Sequence, residues 1–396
     1  ALGYQSLEDN TTGSFNIALG FRSLEENITG YGNVAVGFYA LTHNQTGSDN
    51  IAIGEDVLDY NQTGNDNIAI GSEALEYNIS GNSNIGIGEN ALSYNETGNN
   101  NIAIGENPLE NNTLGSDNIG IGQRALWYNN EGSFNIAIGL DALNINTTGI
   151  SNIAIGKAAL YDGQAASYNI AIGDSALYSN QSGANNVGLG RSALFSNTIG
   201  VDNVAAGRSA LRSNTSGNYN IAAGRSALRS NTSGNYNIAL GLVALQSNTF
   251  GEDNISLGAF SMSSNTTGFS NVAIGAESLA SNTTAYYNVA VGAYTLLYNR
   301  GKHNVALGAE ALFYNTTGDD NVAVGYDALG DNTTGEKNVA VGQGALTQII
   351  TTNNNIGIGH NAQVSVASNS NQIRIGNASI GQSSIQVDWS ISSDLH

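Results

Sequence analysis

The chain contains no cysteine and a single proline among its 396 residues. These two shortages exclude a disulfide-stapled fold and a collagen. Basic residues are also scarce, because 12 Lys and Arg stand against 32 Asp and Glu, a formal net charge of −20. Such a chain repels phosphate backbones and anionic lipids, so we expect neither nucleic acid nor a membrane surface as its partner. No apolar run approaches the roughly 18 to 20 residues of a membrane helix.

Residues that carry chemistry are few as well. Charged residues make up 11% of the chain, and there are four His. No Ser/His/Asp, Walker or Rossmann constellation can be recognised from the residue order. We therefore expect no enzyme, no catalytic residue, no bound cofactor and no metal site.

What the chain does contain is 50 glycines and a repeat of 17 residues. The pattern at Asn16–Gly20 returns at Asn33 and Asn50, and a typical unit reads N-I-A-I-G-x-x-A-L-x-x-N-T-T-G-x-x. Positions are numbered 1 to 17 from this leading Asn. Only the unit from Asn288 to Asn304 is one residue short before the period resumes.

The repeat predicts an all-β fold. Two glycines per unit would cost a helix roughly 2 kcal/mol per repeat, whereas the alternation at positions 2 to 4 is typical of a strand. Stacked at roughly 4.8 Å, about 23 coils would form a parallel β-solenoid on the order of 110 Å long. We expect residues 1–371 to form this shaft and residues 372–396 to form a C-terminal cap or junction.

Each position of the unit receives a role in this hypothesis. We expect a strand at positions 1 to 5, a shorter strand near positions 7 to 10, and a turn at N-T-T-G. Ile or Val at positions 2 and 4 and Leu at position 9 would fill the interior. Gly at position 5 would adopt positive φ or approach the backbone closely, and the leading Asn would form an inward ladder.

Position 3 would then face outward, because it lies opposite positions 2 and 4. It is Ala in most units, Gly in a few and Ser at Ser256. A solvent-facing column would tolerate larger polar residues, so we expect another surface to pack against this one. Self-association of parallel chains into a homotrimer is the favoured explanation.

The units carry a family resemblance. Asn50–Leu58 and Asn152–Leu160 resemble the head repeats of trimeric autotransporter adhesins, and resemble still more the repeat shafts of phage and bacterial tail-fibre proteins. The adhesin repeat is usually shorter and lacks the extra N-x-T-G turn. Asn371–Gly376, with Val387–Trp389 and Ser393–Asp394, resembles the junction between a tail fibre and an endosialidase-type intramolecular chaperone. This resemblance implies trimerisation and no protease activity, because the catalytic chaperone is absent from the sequence.

Position 12 carries N-x-[ST] sequons, which are acceptors for N-glycosylation in a cell that performs it. The alternative is turn chemistry, since Asn and Thr stabilise tight turns and stack in ladders. The sequons begin at Asn10, Asn27, Asn44, Asn61, Asn78, Asn95, Asn146, Asn180, Asn214, Asn231, Asn265, Asn282, Asn315 and Asn332.

Two groups of residues are candidates for a ligand surface. An arginine cluster on the acidic background could bind an acidic sugar, although its repetition also fits recent duplication. A tyrosine column could form a sugar platform, although packing between coils is the commoner role. The residues are Arg191, Arg208, Arg212, Arg225, Arg229, Tyr60, Tyr77 and Tyr94.

Asp recurs at position 17, for example at Asp49, Asp66 and Asp117, but a calcium β-roll motif is absent. The sequence therefore predicts an extracellular structural or adhesive fibre protein, at a cell surface or on a virion. Its partners would be further copies of itself and possible host-surface carbohydrate. The alternatives are an N-glycosylated self-assembling surface fibril and a carbohydrate- or ice-binding repeat module.

Overall fold

The chain folds as an all-β parallel β-solenoid. The computed structural model describes residues 1–377, which form about 21 turns at 17-residue spacing and contain no helix. The chain divides into two compact units, Ala1–Ser270 and Asn271–His396. The prediction of an all-β parallel β-solenoid is confirmed, and the described residues hold about 21 turns where about 23 coils were predicted for the whole chain. Residues 387–394, which carry part of the chaperone resemblance, lie outside the described range.

Residues 1–377 contain 25 strands, of which 18 belong to the first unit. They are β1 (Ile17–Leu19), β2 (Val34–Val36), β3 (Ile51–Ile53), β4 (Ile68–Ile70), β5 (Ile85–Ile87), β6 (Ile102–Ile104), β7 (Ile119–Ile121), β8 (Tyr128–Asn129), β9 (Ile136–Ile138), β10 (Ile145–Asn146), β11 (Ile153–Ile155), β12 (Asp162–Gln164), β13 (Ile170–Ile172), β14 (Val187–Leu189), β15 (Val204–Ala206), β16 (Ile221–Ala223), β17 (Ile238–Leu240) and β18 (Ile255–Leu257).

The described part of the second unit, residues 271–377, contains the other seven strands. They are β19 (Val272–Ile274), β20 (Val289–Val291), β21 (Val305–Leu307), β22 (Val322–Val324), β23 (Val339–Val341), β24 (Ile356–Ile358) and β25 (Ile373–Ile375).

All strands but β8, β10 and β12 occupy positions 2 to 4 of successive turns. They pair in parallel and in register within each unit, so that Ile51 lies beside Ile68 and Ala52 beside Ala69. Identical residues therefore stack on one another along the solenoid. β25 still pairs with β24, although it follows the boundary predicted at residue 371.

The predicted orientation of the strand is wrong. Position 3 points into the coil, where Ala35 and Ala52 are fully buried, while the residues at positions 2 and 4 point outward. The interior is narrow: a Cβ at Gly86, a position-3 glycine, would lie 3.5 Å from Leu75 Cδ1. Ala fits there and a branched side chain does not. The leucines at position 9 are buried as predicted.

The second strand predicted at positions 7 to 10 is also wrong. Positions 7 and 9 instead have left-handed φ, as at Arg22 (φ 56°) and Leu24 (φ 53°). These turns still bond to their neighbours, since Leu24 N donates to Ala40 O at 3.0 Å. Only β8, β10 and β12, which begin at position 11, form a second, three-stranded sheet.

The role predicted for the position-5 glycine is confirmed. Gly139 has φ 131°, and a Cβ placed on it would lie 2.8 Å from the carbonyl oxygen of Gly156 in the next turn. Both the φ value and the close backbone approach require glycine.

Two columns of buried asparagine hold the turns together. In the leading Asn ladder (position 1), Asn50 Nδ2 and backbone N both donate to Asn33 Oδ1, at 3.1 and 3.0 Å. In the turn Asn ladder (position 12), Asn44 Nδ2 donates to Asn27 Oδ1 at 2.8 Å. Gly47 O accepts from both Asn33 and Asn44, which closes each turn across its interior. The inward Asn ladder is therefore confirmed.

Candidate functional site

The outward residues of the strands form an apolar face in each unit. Ile or Val at position 2 and Ile, Val or Leu at position 4 line it in nearly every turn. Ile104, at position 4, is 38% exposed although it stacks on identical neighbours. We name this surface the strand face. Isolated exposed apolar residues are ordinary, but a contiguous strip of them marks an interaction surface.

The candidate tyrosines do stack on one another. The ring centroids of Tyr60 and Tyr77 are 5.0 Å apart, those of Tyr77 and Tyr94 are 5.1 Å apart, and the ring planes are nearly parallel. His43 extends the stack at 4.9 Å from Tyr60. Neighbouring rings cover the faces of the inner rings, so the stack presents ring edges and hydroxyls rather than an open sugar platform.

The Tyr77 hydroxyl is coupled to an acidic neighbour. The charge of Glu76 and a hydrogen bond to it raise the pKa of Tyr77 to about 12. The phenol, which is protonated at neutral pH in an ordinary tyrosine, therefore stays protonated to a higher pH than usual.

A groove runs beside this stack, above the buried turn Asn ladder. It has a volume of about 230 Å³ and lies between the tyrosines and the position-13 residues Gln62, Ile79 and Glu96. A larger groove of about 510 Å³ occurs in the second unit, between Tyr298 and Thr333 among others. The sequence analysis missed both.

The shortened repeat unit from Asn288 to Asn304 could have indicated the larger groove from the sequence. Arg300 lines it and replaces two residues of the usual turn in the one-residue-short unit. Tyr298 and Tyr314 stack beside it with centroids 5.9 Å apart, and Asp331 lines the same groove. The groove thus joins aromatic rings to one cation and one anion.

An acidic cluster lies on positions 7 and 10 of the first unit. Burial, followed by the charges of neighbouring carboxylates, raises the pKa of Asp56. Burial also raises the pKa of Asp59, and the neighbouring His43, 3.2 Å from its carboxylate, partly offsets this rise. Burial raises the pKa of Glu76 as well. These side chains line a groove of about 350 Å³ with Arg22 and His43. The cluster is crowded with like charge.

The five candidate arginines lie on two columns of the first unit. Arg191, Arg208 and Arg225 occupy position 6 of three successive turns, and Arg212 and Arg229 occupy position 10 of two. Four of them are exposed and Arg212 is half-buried. The structure thus brings these arginines together at the spacing of one turn.

An aromatic column that sequence analysis missed leads into this cluster. Tyr161, Tyr178 and Phe195 stack at position 10, with centroids 5.0 and 5.1 Å apart. The guanidinium of Arg212 continues the column 5.2 Å from the Phe195 ring centroid. This contact is a cation–π interaction. It holds Arg212 in place and joins the aromatic and basic parts of the same face.

The predicted glycosylation residues lie on the turn Asn ladder. All are fully buried except Asn10, which is partly exposed in the first turn. The Nδ2 atom that a glycan would modify instead donates inside the coil; Asn61 Nδ2, for example, bonds to Asn44 Oδ1 at 2.8 Å and to Gly64 O at 3.0 Å. The geometry agrees with turn chemistry, since a glycan on a buried ladder residue would have to replace these bonds.

The recurrent Asp at position 17 has a backbone explanation. Asp49, Asp66 and Asp117 have φ of 58 to 59°. Asn and Asp tolerate this left-handed region better than most residues. Over residues 1–377, no group of three or more His, Cys, Asp or Glu side chains is placed to hold a metal ion.

Among the described residues, no helix is long and apolar enough to cross a membrane. Comparison with known proteins assigns the chain to no group: no protein-family model matches it, and no curated protein matches it.

Proposed function

We propose that the chain is a non-enzymatic extracellular shaft that assembles in parallel as a homotrimer and serves a structural and adhesive role in a fibre. The single observation that carries this proposal is the strand face. The resemblance to tail-fibre shafts and adhesin heads supports the extracellular and adhesive parts.

The size of the strand face supports self-association. The first unit contributes 15 strands to it. At roughly 4.8 Å per strand and about 3.3 Å per residue, the face is about 70 Å long and 10 Å wide, or about 700 Å². A standard stable interface buries about 800 Å² per partner. The strand face of the first unit alone is therefore close to the size of a standard interface, and the strands of the second unit add to it.

The geometry of the face favours a parallel trimer. Positions 2 and 4 form two separate columns on it, as Ile102 and Ile104 show. Around a three-fold axis, the position-2 column of each copy packs against the position-4 column of the next, and the ring closes after three contacts. Parallel copies also match turn to turn because every chain has the same repeat. This trimer replaces the position-3 contact expected from the sequence, since position 3 is buried within the coil.

The oligomer is tested by light scattering on the purified 396-residue chain. We expect a mass of about three times 40.9 kDa. The double variant Ile104→Lys/Ile155→Lys places a charge at position 4 of two turns and is expected to dissociate the trimer, because each lysine would be buried without a partner. A wild-type mass of 40.9 kDa at micromolar concentration would refute the proposal.

A matched control separates dissociation from misfolding. Ile199 is a more exposed isoleucine, at position 14, whose column neighbours are Ser182 and Ser216. Ile199→Lys therefore adds a lysine outside the strand face, the same substitution as at each site of the double variant, and should leave the mass unchanged. Circular dichroism on all variants checks that the β structure is retained.

A further inference from the structure

The charge of the chain reverses in one segment. Residues 175–251 contain five Arg and one acidic residue, Asp202, a local charge of 5 − 1 = +4 in a chain of net charge −20. The segment therefore holds five of the 12 basic residues of the protein. A concentration of this kind creates a local positive potential on an otherwise negative surface.

These arginines have no acidic partner. Ion pairs in residues 1–377 include Arg22 with Glu25 at 3.1 Å and Arg124 with Asp141 at 2.8 Å, but none includes an arginine of the cluster. Asp202, at position 17, precedes the strand whereas Arg208, at position 6, follows it. The guanidinium groups are therefore available to an external anion.

The columns of the cluster form one face. Position 7 lies between positions 6 and 10, as other turns of the first unit show. The ring centroids of Phe38 at position 6 and Tyr39 at position 7 are 4.4 Å apart. Asn107 Nδ2 at position 7 donates to Glu110 Oε2 at position 10, at 2.7 Å. In the cluster, position 7 is serine in each turn, as at Ser209. Each turn thus carries a half-buried serine next to its position-6 arginine in the chain, and the Phe195 ring lies at one end of the position-10 column.

We propose that this face, the arginine face (Arg191, Arg208, Arg212, Arg225 and Arg229), binds a short anionic glycan. Arginine forms bidentate hydrogen bonds with carboxylate and sulfate-type groups, and serine hydroxyls bond sugar hydroxyls. The position-6 arginines repeat at about 4.8 Å, which suits a linear ligand with one charge per sugar lying along the solenoid.

The surroundings of the face limit the size of the ligand. Three turns at position 6 span about 10 Å. Asp174 precedes Arg191 on position 6, Leu242 follows Arg225, and the chain outside the segment carries a net charge of −20 − 4 = −24. A nucleic acid duplex, with one charge per roughly 1.7 Å, would extend into this acidic surface and be repelled. A segment of two to four acidic sugars would remain within the face.

This inference deepens the adhesive part of the proposed function, and it is tested separately from assembly. The full chain is titrated by calorimetry at low salt with a galacturonic acid tetramer, a sulfated heparin tetrasaccharide, a neutral maltotetraose and a thymidine tetranucleotide. We expect one or both acidic sugars to bind and the neutral maltotetraose not to bind. Comparison of the galacturonic acid tetramer with the heparin tetrasaccharide shows whether carboxylate or sulfate is preferred. Binding should weaken as salt is added.

A matched pair of triple variants locates the site. Arg208→Gln/Arg212→Gln/Arg225→Gln should weaken acidic-sugar binding at least tenfold. Arg124→Gln/Lys302→Gln/Lys337→Gln makes the same net-charge change outside the arginine face and should alter binding less than twofold. Light scattering on both variants, with circular dichroism, reports the trimer and the fold independently of the ligand.

Three results would overturn the inference. The first is that neither acidic sugar binds, or that both triple variants weaken binding equally. The second is that the tetranucleotide binds more tightly than either sugar, which would assign the face to nucleic acid. The third is that the wild-type chain associates further at low salt without ligand and the first variant abolishes this, which would assign the face to the acidic cluster of a second copy.

Discussion

Replacing Asn118 by alanine tests the leading Asn ladder at a single rung. Asn118 Nδ2 donates to Gly132 O at 2.8 Å and to Asn101 Oδ1 at 3.2 Å. Its Oδ1 accepts from the backbone N and the Nδ2 of Asn135, at 3.0 and 3.2 Å. The substitution removes four buried hydrogen bonds and leaves the Asn135 amide without its acceptor.

The cost can be worked from these contacts. A buried hydrogen bond contributes about 1 kcal/mol net, and an unsatisfied buried donor costs about 1 to 3 kcal/mol. The carbonyl of Gly132 still accepts a hydrogen bond from Asn129 Nδ2 at 2.8 Å, so this partner of Asn118 does not become unsatisfied. We therefore expect a local destabilisation of about 4 kcal/mol, which corresponds to roughly a thousandfold in the opening equilibrium of the neighbouring turns.

Hydrogen exchange with residue-level resolution measures this change. The Asn135 amide in Asn118→Ala is expected to exchange about a thousandfold faster, together with the adjacent turns, while distant turns keep their protection because each turn contacts only its neighbours. Asn130→Ala is the matched control, since Asn130 is exposed in the same turn. Unchanged protection at Asn135 in a folded Asn118→Ala chain would show that the ladder does not hold the amide.

Three further predictions concern the backbone and the acidic cluster. Gly139→Ala is expected to destabilise the chain by at least about 3 kcal/mol, through backbone strain and a clash with the next turn. Gly188→Ala, at position 3, should change the stability by no more than about 1 kcal/mol, because the atom nearest to the added Cβ is 3.3 Å away. Equal hydrogen-exchange rates around the two sites would contradict this difference. Asp66→Val should lower the thermal midpoint more than Asp66→Gly, by the equivalent of about 1 to 2 kcal/mol, because residue 66 has a left-handed φ of 58°. The reverse order would show that backbone conformation does not explain the recurrent Asp. Burial raises the pKa of Asp59 and of Glu76, so at a pH just above the ordinary carboxyl pKa the folded chain binds more protons than the unfolded chain. The thermal midpoint should therefore rise as the pH falls from neutral towards the ordinary carboxyl pKa. Asp59→Asn should reduce this rise, and a pH profile that the variant leaves unchanged would show that Asp59 does not cause it.

Several features of the site could be foreseen and several could not. Stacking of Tyr60 on Tyr77 followed from their equal position in the repeat, and so did the neighbouring arginines on position 6. The continuation of the aromatic column into Arg212 was not foreseen, because Phe195 differs in residue type from its neighbour. The meaning of the recurrent Asp was also missed, since residue identity alone does not distinguish a left-handed turn from a cation site.

The sequence was sufficient to predict the period, a strand within positions 1 to 5, the buried Leu at position 9 and the need for Gly at position 5. Each follows from a local rule, such as alternation or permitted φ, acting on a unit that is repeated along the chain. The structure shortens that strand to positions 2 to 4. Which side of the strand faces inward depends on packing inside the coil and did not follow from the sequence pattern. Alternation shows that the strand has two faces but not which of them is buried. The left-handed turns at Leu24 and its equivalents set the width of the coil. That width accommodates Ala35 in the interior and leaves Val34 on the outside. That choice places the branched apolar residues on the outer surface, where the proposed trimer contact lies.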